Sequence, residues 1–129
     1  MRSSALSFAA TTLAFLALDA TWLATMGARL YRPAIGVLMA QEVDWAAALL
    51  FYIVYLAGLI GFAAAPARSV AQATLRGALF GLVAYATYDL TNQATLRDWP
   101  WGLTAIDLFW GAFASAAACA AGAAVARRR

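Results

Sequence analysis

Residues 45–65 read WAAALLFYIVYLAGLIGFAAA, a run without a single charged side chain. An α-helix rises 1.5 Å per residue, so about 20 apolar residues are enough to cross the hydrocarbon core of a bilayer. The run from Trp45 to Ala65 therefore predicts a transmembrane helix.

Three further apolar stretches have a similar length: Ala5 to Met26, Ala71 to Leu96 and Trp101 to Ala126. The 129 residues are 65% hydrophobic and 12% charged, with a mean hydropathy of +0.75. Soluble domains carry about 25% charged residues. We therefore predict an all-α, multi-pass membrane protein in which four transmembrane helices form an antiparallel bundle. Residues 1–129 make one transmembrane domain, and the lipid bilayer is its first partner.

The arginines predict the orientation of this bundle. Six lie on one side of the spans and three on the other, and basic residues concentrate in cytoplasmic segments, so we expect both termini in the cytoplasm. The six are Arg2, Arg68, Arg76, Arg127, Arg128 and Arg129, and the three are Arg29, Arg32 and Arg97. A net charge of +3 does not indicate a nucleic-acid partner here, because the arginines cap helices and form no basic stripe between aromatic residues.

The predicted outer loop, residues 27–44, is long for so small a protein. It contains Tyr31, Pro33 and an apolar run from Ala34 to Ala40 that is too short to span a bilayer. The run is either an amphipathic lid at the outer surface or an ordinary connector.

Three aspartates, Asp19, Asp89 and Asp107, lie inside the predicted spans, in a chain without lysine or histidine. Each lies roughly 9 to 11 Å from the outer end of its helix, so the three share one layer. Ionisable groups at this depth are costly and mark ligand sites, ion paths or proton relays. Such carboxyl groups must be protonated, paired or bound to a cation.

Aromatic side chains concentrate in the same half of the spans. The spacing of Tyr85, Tyr88, Asp89 and Asn92 places them on one face of the third helix. With neighbours on the other spans they predict an outward-facing pocket. Its candidate ligand-binding residues are Asp19, Trp22, Tyr52, Tyr55, Tyr85, Tyr88, Asp89, Asn92, Asp107 and Trp110.

Small residues dominate the other half of the third and fourth spans. Gly77 and Gly81 form a pair four residues apart, and Gly111, Ser115 and Gly122 repeat the pattern on the fourth span. Such residues let helix backbones approach closely. They predict a tightly packed cytoplasmic half below the pocket.

These residues favour binding or movement of a small molecule or cation. The acids would supply charge or a shared proton, and the aromatic faces would hold an apolar or cationic ligand. The sequence assigns no metal site. If a hard cation such as Mg²⁺ or Ca²⁺ binds, its ligands would be Asp19, Asp89 and Asp107. Zn²⁺ fits poorly, because there is no histidine and the one cysteine, Cys119, lies at the other end.

Two other classes of protein remain open. A membrane-embedded enzyme can use one protonated and one ionised carboxyl group as acid and base on a lipid or isoprenoid substrate. No catalytic residue can be assigned, and the sequence contains no cofactor motif. The third class is an accessory subunit, in which structural aspartates hold helices together and the chain joins a second copy or a partner membrane protein.

A family resemblance rests on residues from all four spans. They are Leu18-Asp19 with Trp22, Tyr52 with Tyr55 and Gly58, the stretch YATYDLTNQATLRDW from Tyr85 to Trp99, and Asp107 with Trp110-Gly111. In these residues the chain resembles the bacterial membrane proteins of the family called domain of unknown function 2177 (DUF2177). The resemblance implies a small four-helix protein of the bacterial cytoplasmic (inner) membrane, and it implies no activity.

Overall fold

The computed structural model describes the backbone of residues 2–127 and the side chains of residues 4–127. Arg128 and Arg129, which the orientation prediction counts, lie outside the described residues, as does the side chain of Arg2. All secondary structure in the described part is helical, which confirms the all-α class. The α-helices are α1 (Arg2–Met26), α2 (Arg32–Ile35), α3 (Trp45–Leu59), α4 (Val70–Thr95) and α5 (Trp101–Arg127). Two π-helical turns, Gly27–Tyr31 and Ile60–Ala64, and a 3₁₀ turn, Gly36–Leu38, extend them.

Three helical segments in the described chain are long and apolar enough to cross a membrane: Ser4–Leu38, Trp45–Ala64 and Trp101–Arg127. The molecule is therefore a helical membrane protein. Helix α4 has 26 residues, which is long enough, but it carries Arg76 and Asp89 along its length. Its crossing of the bilayer stays a prediction, and so does the cytoplasmic position of both termini.

Helices α4 and α5 run antiparallel and form the most extensive helix–helix contact. A Cβ atom at Gly81 would lie 2.0 Å from the carbonyl oxygen of Gly111, and one at Gly77 would lie 2.6 Å from the carbonyl oxygen of Ser115. No side chain fits at such distances, so the two backbones touch directly. The predicted packing of small residues on these helices is confirmed.

Helix α1 packs against α5 in a similar way. The hydroxyl of Ser7 donates to the carbonyl oxygen of Gly122 over 2.8 Å, and a Cβ atom at Gly122 would lie 2.1 Å from the Thr11 hydroxyl oxygen. These contacts bring the first half of α1 onto the last turns of α5. We call the contacts centred on Gly77, Gly81, Gly111 and Gly122 the small-residue interface.

Helix α3 stands apart from α1, α4 and α5 and reaches them mainly through its side chains. Its N-cap is Asp44, whose carboxylate accepts from the backbone N–H of Ala47 at 3.1 Å. The π-helical turn at its other end is held to α4 by Arg76, which donates to the carbonyl oxygen of Phe62 at 2.7 Å. This arrangement leaves room between α3 and the other long helices.

The predicted outer loop is helical over its first part. The chain continues from α1 through the π-helical turn, α2 and the 3₁₀ turn before it extends toward Asp44. Pro33 lies in the first turn of α2, directly after the π-helical turn. Proline has no N–H, so it fits where the regular α-helical hydrogen-bond pattern is already interrupted. Several residues between 27 and 43, among them Tyr31 and Met39, line the space beside α3, and the choice between a lid and an ordinary connector stays a prediction. We call residues 27–43 the lid segment.

Candidate functional site

A cavity of about 820 Å³ lies between α3 and the other long helices, beneath the lid segment. Small-molecule sites in proteins typically measure about 300–1,000 Å³. Nine of its 18 lining residues are aromatic, and we call it the aromatic cavity. The nine are Trp22, Tyr31, Trp45, Phe51, Tyr52, Tyr55, Tyr85, Tyr88 and Trp110.

Asp19 lies on the wall of the aromatic cavity and is anchored by two helices. The hydroxyl of Tyr52 on α3 donates to one carboxylate oxygen, and the indole N–H of Trp110 on α5 donates to the other at 3.3 Å. Only 5% of Asp19 is exposed. One carboxylate on α1 thus joins three helices, and Tyr52 links α3 to α1.

Asp107 lies on the same wall and is anchored by the lid segment. The hydroxyl of Tyr31 donates to its carboxylate, and the indole N–H of Trp22 donates in turn to the Tyr31 hydroxyl at 3.0 Å. Tyr31 therefore ties the π-helical turn both to α1 and to α5.

The two anchored aspartates are connected by stacked indole rings. Trp22 and Trp110 lie 4.3 Å apart between ring centroids, with an angle of 8° between their planes. Trp110 donates to Asp19, and Trp22 donates through Tyr31 toward Asp107. Asp19, Trp110, Trp22, Tyr31 and Asp107 thus form one continuous wall of the cavity, with two carboxylates and three aromatic side chains.

Asp89 occupies a different position, behind this wall. It is fully buried on α4, and neither carboxylate oxygen has a hydrogen-bond partner among the described residues. Asp89 does not line the aromatic cavity.

The structure brings eight of the ten candidate residues to the cavity and leaves two outside it. The eight are Asp19, Trp22, Tyr52, Tyr55, Tyr85, Tyr88, Asp107 and Trp110. Asp89 lies behind the wall, and Asn92 is half-buried one turn further along α4. Tyr88 is 56% exposed and stands at the rim. Of the four candidate residues on one face of α4, Tyr85 and Tyr88 therefore line the cavity, and Asp89 and Asn92 do not.

The three aspartates do not converge on one metal-binding position. Within residues 4–127 there is no group of three or more His, Cys, Asp or Glu side chains that could hold a metal ion. The Asp19 carboxylate accepts from Tyr52 and Trp110, the Asp107 carboxylate accepts from Tyr31, and the Asp89 oxygens have no hydrogen-bond partner among the described residues. The alternative of a shared Mg²⁺ or Ca²⁺ site is not supported by this geometry.

Tyr31 and Ser115 are site residues that sequence reasoning did not select. The Tyr55 hydroxyl and the Ser115 hydroxyl are 2.6 Å apart, which fixes Tyr55 at the floor of the cavity. Ser115 had a signal, since it lies on the same face of α5 as Asp107 and Gly111. Tyr31 had none: it is nine residues after Trp22, so a regular α-helix would place it on the opposite face, and the π-helical turn Gly27–Tyr31 changes that spacing.

These features define a helical membrane protein with an aromatic, acid-containing cavity. Residues 4–124 match the family described as Predicted membrane protein (DUF2177), and the chain belongs to that family. The resemblance read from the sequence is confirmed. No curated protein and no solved structure matches the chain.

Proposed function

We propose that this protein binds a small, largely apolar molecule in the aromatic cavity. One observation carries the proposal: a space of about 820 Å³ whose wall is half aromatic and includes two carboxylates held in place by tyrosine and tryptophan donors. Ligand sites combine an apolar lining with a few fixed polar groups in this way. A purely structural role for Asp19 and Asp107 requires no open space beside them.

The packing of the helices supports a way into the cavity past α3. Helix α3 and the lid segment close the cavity through side chains, whereas the remaining helices touch along their backbones. Side-chain contacts open at lower cost than a continuous backbone contact, because fewer close van der Waals contacts are lost. The entrance therefore lies between α3 and the lid segment.

The small-residue interface supports binding rather than conduction through one copy of the chain. Gly77, Gly81 and Gly122 leave no space for a Cβ atom, so no polar path leads from the aromatic cavity along α5. A smaller cavity of about 130 Å³ beside Ser7 and Arg127 lies at the opposite end of α1 and α5. The two cavities share no lining residue.

An acid–base enzyme acting on a lipid or isoprenoid is the second candidate. Two differently placed carboxyl groups favour it: Asp89 is fully buried without a hydrogen-bond partner among the described residues, which disfavours its charged form, whereas Asp107 accepts from Tyr31 at the cavity. Both candidates require the cavity to bind its ligand. They differ in whether a bound molecule leaves chemically changed, which mass spectrometry of the co-purified species before and after incubation would show.

The binding proposal can be tested by filling the cavity. Ala48 lines the cavity, whereas its neighbour Ala47 is exposed on α3. We expect Ala48→Phe to abolish binding of the neutral fluorophore N-phenyl-1-naphthylamine, measured by energy transfer from the protein's tryptophans in lipid nanodiscs. Ala47→Phe is the matched control and should bind like the original chain. Native mass spectrometry of the three proteins should show any co-purified molecule lost from Ala48→Phe alone.

Equal energy transfer in the original chain, Ala48→Phe and Ala47→Phe would mean that the fluorophore has dissolved in the lipid and does not occupy the cavity. In that case, and without a co-purified species, the cavity is not a binding site and the proposal fails.

A further inference from the structure

The smaller cavity, of about 130 Å³, lies where three elements of the bundle meet. It is lined by Ser4 and Ser7 in the first turns of α1, by Ala67 in the turn before α4, and by Arg127 at the end of α5. Liquid water occupies about 30 Å³ per molecule, so the space holds about four waters or one tetrahedral group such as a phosphate. We call it the arginine-end cavity.

The polar groups of the arginine-end cavity favour an anion. Ser7 donates its proton to the carbonyl oxygen of Gly122 at 2.8 Å, so this hydroxyl has no proton left for a ligand. The Ser4 hydroxyl and the Arg127 guanidinium are then the side-chain donors of the lining, and no carboxylate lines the cavity. A guanidinium can donate two parallel hydrogen bonds to one phosphate group.

The charges of the chain are separated along the bundle, which leaves Arg127 without a carboxylate partner at its own end. Asp107 is on the same helix as Arg127 but about 30 Å away along the helix axis. A further arginine, Arg68, directly follows the lining residue Ala67. All six acidic side chains of the chain lie toward the other end: Asp19, Glu42, Asp44, Asp89, Asp98 and Asp107.

The depth of the arginine-end cavity matches the headgroup layer of a bilayer. Helix α5 has 27 residues and is long and apolar enough to cross a membrane. Its length is about 40 Å, close to the thickness of a bilayer including the headgroups. Arg127, at its last turn, therefore lies at headgroup level. Basic pockets at this level bind the head groups of anionic lipids.

The rest of the lining distinguishes a lipid from free phosphate. It consists of Phe8 and five alanines. A free phosphate ion gains nothing from these apolar groups, whereas a phospholipid carries its apolar part directly beside its phosphate. Both halves of the lining then have a matching part of one ligand.

We propose that the arginine-end cavity binds the phosphate of an anionic phospholipid. Arg127 and Ser4 donate to the phosphate oxygens, and Phe8 and the alanines contact the apolar part of the lipid. This site is independent of the proposed function, because the arginine-end cavity shares no lining residue with the aromatic cavity.

The test is native mass spectrometry of the detergent-purified protein titrated with phosphatidylglycerol or, separately, with phosphatidylcholine of the same acyl chains. We expect one phosphatidylglycerol to bind per chain in preference to phosphatidylcholine. Arg127→Gln should lower its affinity by about fivefold, the contribution expected of one arginine near anionic lipid. Arg97→Gln is the matched control, because it removes the same charge from an exposed residue at the other end and should bind like the original chain.

A second pair of variants tests the cavity itself. Ala126 and Ala124 are both half-buried near the end of α5, but only Ala126 lines the arginine-end cavity. Ala126→Leu fills the space and should abolish the preference for phosphatidylglycerol. Ala124→Leu should keep it. Circular dichroism melting curves of the four variants show whether each is folded.

The outcomes decide between a built site and a general attraction. Equal losses in Arg127→Gln and Arg97→Gln would mean that only net charge matters, and full binding by folded Ala126→Leu would place the lipid elsewhere; either result overturns the proposal. Equal binding of phosphatidylcholine would overturn the anionic class. Inorganic phosphate that binds as tightly as phosphatidylglycerol would overturn the lipid and leave an anion site. None of these results changes fluorophore binding in the aromatic cavity, which tests the proposed function separately.

Discussion

The small-residue interface and the aromatic cavity are built from the same helices by opposite means. At the small-residue interface, glycines bring the backbones of α1, α4 and α5 into direct contact, with only 2.0 Å between a hypothetical Cβ at Gly81 and the Gly111 oxygen. At the aromatic cavity, long side chains bridge helices that stay apart and leave about 820 Å³ between them. The small-residue interface holds the helices together, and the aromatic cavity leaves a space between them.

The difference matters because the lipid environment removes most of the hydrophobic drive between helices. Close van der Waals packing then holds a bundle, and single interhelical hydrogen bonds contribute only about 0.6 kcal/mol on average. We therefore expect stability to reside in the small-residue interface and adaptability in the aromatic cavity. Three substitutions test this division, beginning with the largest effect.

Gly81→Ala should cause the largest loss of stability. The added Cβ would overlap the backbone oxygen of Gly111 and the Ser115 hydroxyl, at 2.0 and 2.6 Å, so α4 and α5 must separate. Overpacking of this kind costs about 1–3 kcal/mol, and the contact with rigid backbone places this site at the upper end. Thermal unfolding in detergent, followed by circular dichroism, measures it.

Gly102→Ala is the control for this prediction. Gly102 lies in the first turn of α5 and a Cβ atom there would meet nothing within 4 Å. Alanine favours a helix over glycine, so its melting temperature should stay level or rise. Equal melting temperatures for Gly81→Ala and Gly102→Ala would mean that the small-residue interface does not hold the bundle.

The small-residue interface could be predicted from sequence because spacing on a regular helix determines it. Gly77 and Gly81 are four residues apart on one face, and the same rule places Gly111 and Ser115 on one face of α5. Counting residues also predicts a common depth for Asp19 and Asp107, and that depth stays a prediction. What spacing alone cannot give is the angle and distance of α3, and therefore the existence and volume of the cavity.

Tyr52→Phe should have an intermediate effect. It removes the hydroxyl that donates to Asp19 and with it the hydrogen bond that ties α3 to α1 at the cavity. Asp19 keeps the Trp110 donor on α5, so its carboxylate does not become unpartnered. We expect a loss of about 1 kcal/mol in the free energy of unfolding, within the range of interhelical hydrogen bonds in membranes.

Tyr88→Phe provides the comparison for Tyr52→Phe. Tyr88 carries the same hydroxyl but is 56% exposed at the rim, so its removal should change stability little. A loss for Tyr52→Phe as large as that for Gly81→Ala would show that the side-chain bridges hold the bundle as firmly as the backbone contacts do.

Tyr31 and Asp89 mark the limit of prediction from sequence at the site. The π-helical turn Gly27–Tyr31 changes the angular spacing of residues after α1, so regular helical counting does not bring Tyr31 to Asp107. Asp89 shares a face with Tyr85, but it is fully buried and does not line the cavity. Both placements depend on how helices pack against one another, which a single sequence does not specify.

Tyr31→Phe should have the smallest effect on the whole bundle and a clear local one. The substitution removes the hydroxyl that joins Trp22 to Asp107 and leaves the lid segment without that polar attachment. A hydrogen bond of about 0.6–1.4 kcal/mol corresponds to a threefold to tenfold rise in local opening. Amide hydrogen exchange in residues 27–43 should therefore accelerate by about that factor, while the amides of α4 and α5 stay as protected as before. If α4 and α5 lose protection together with the lid segment, the aromatic cavity and the small-residue interface unfold as one cooperative unit, and the proposed division between them is wrong.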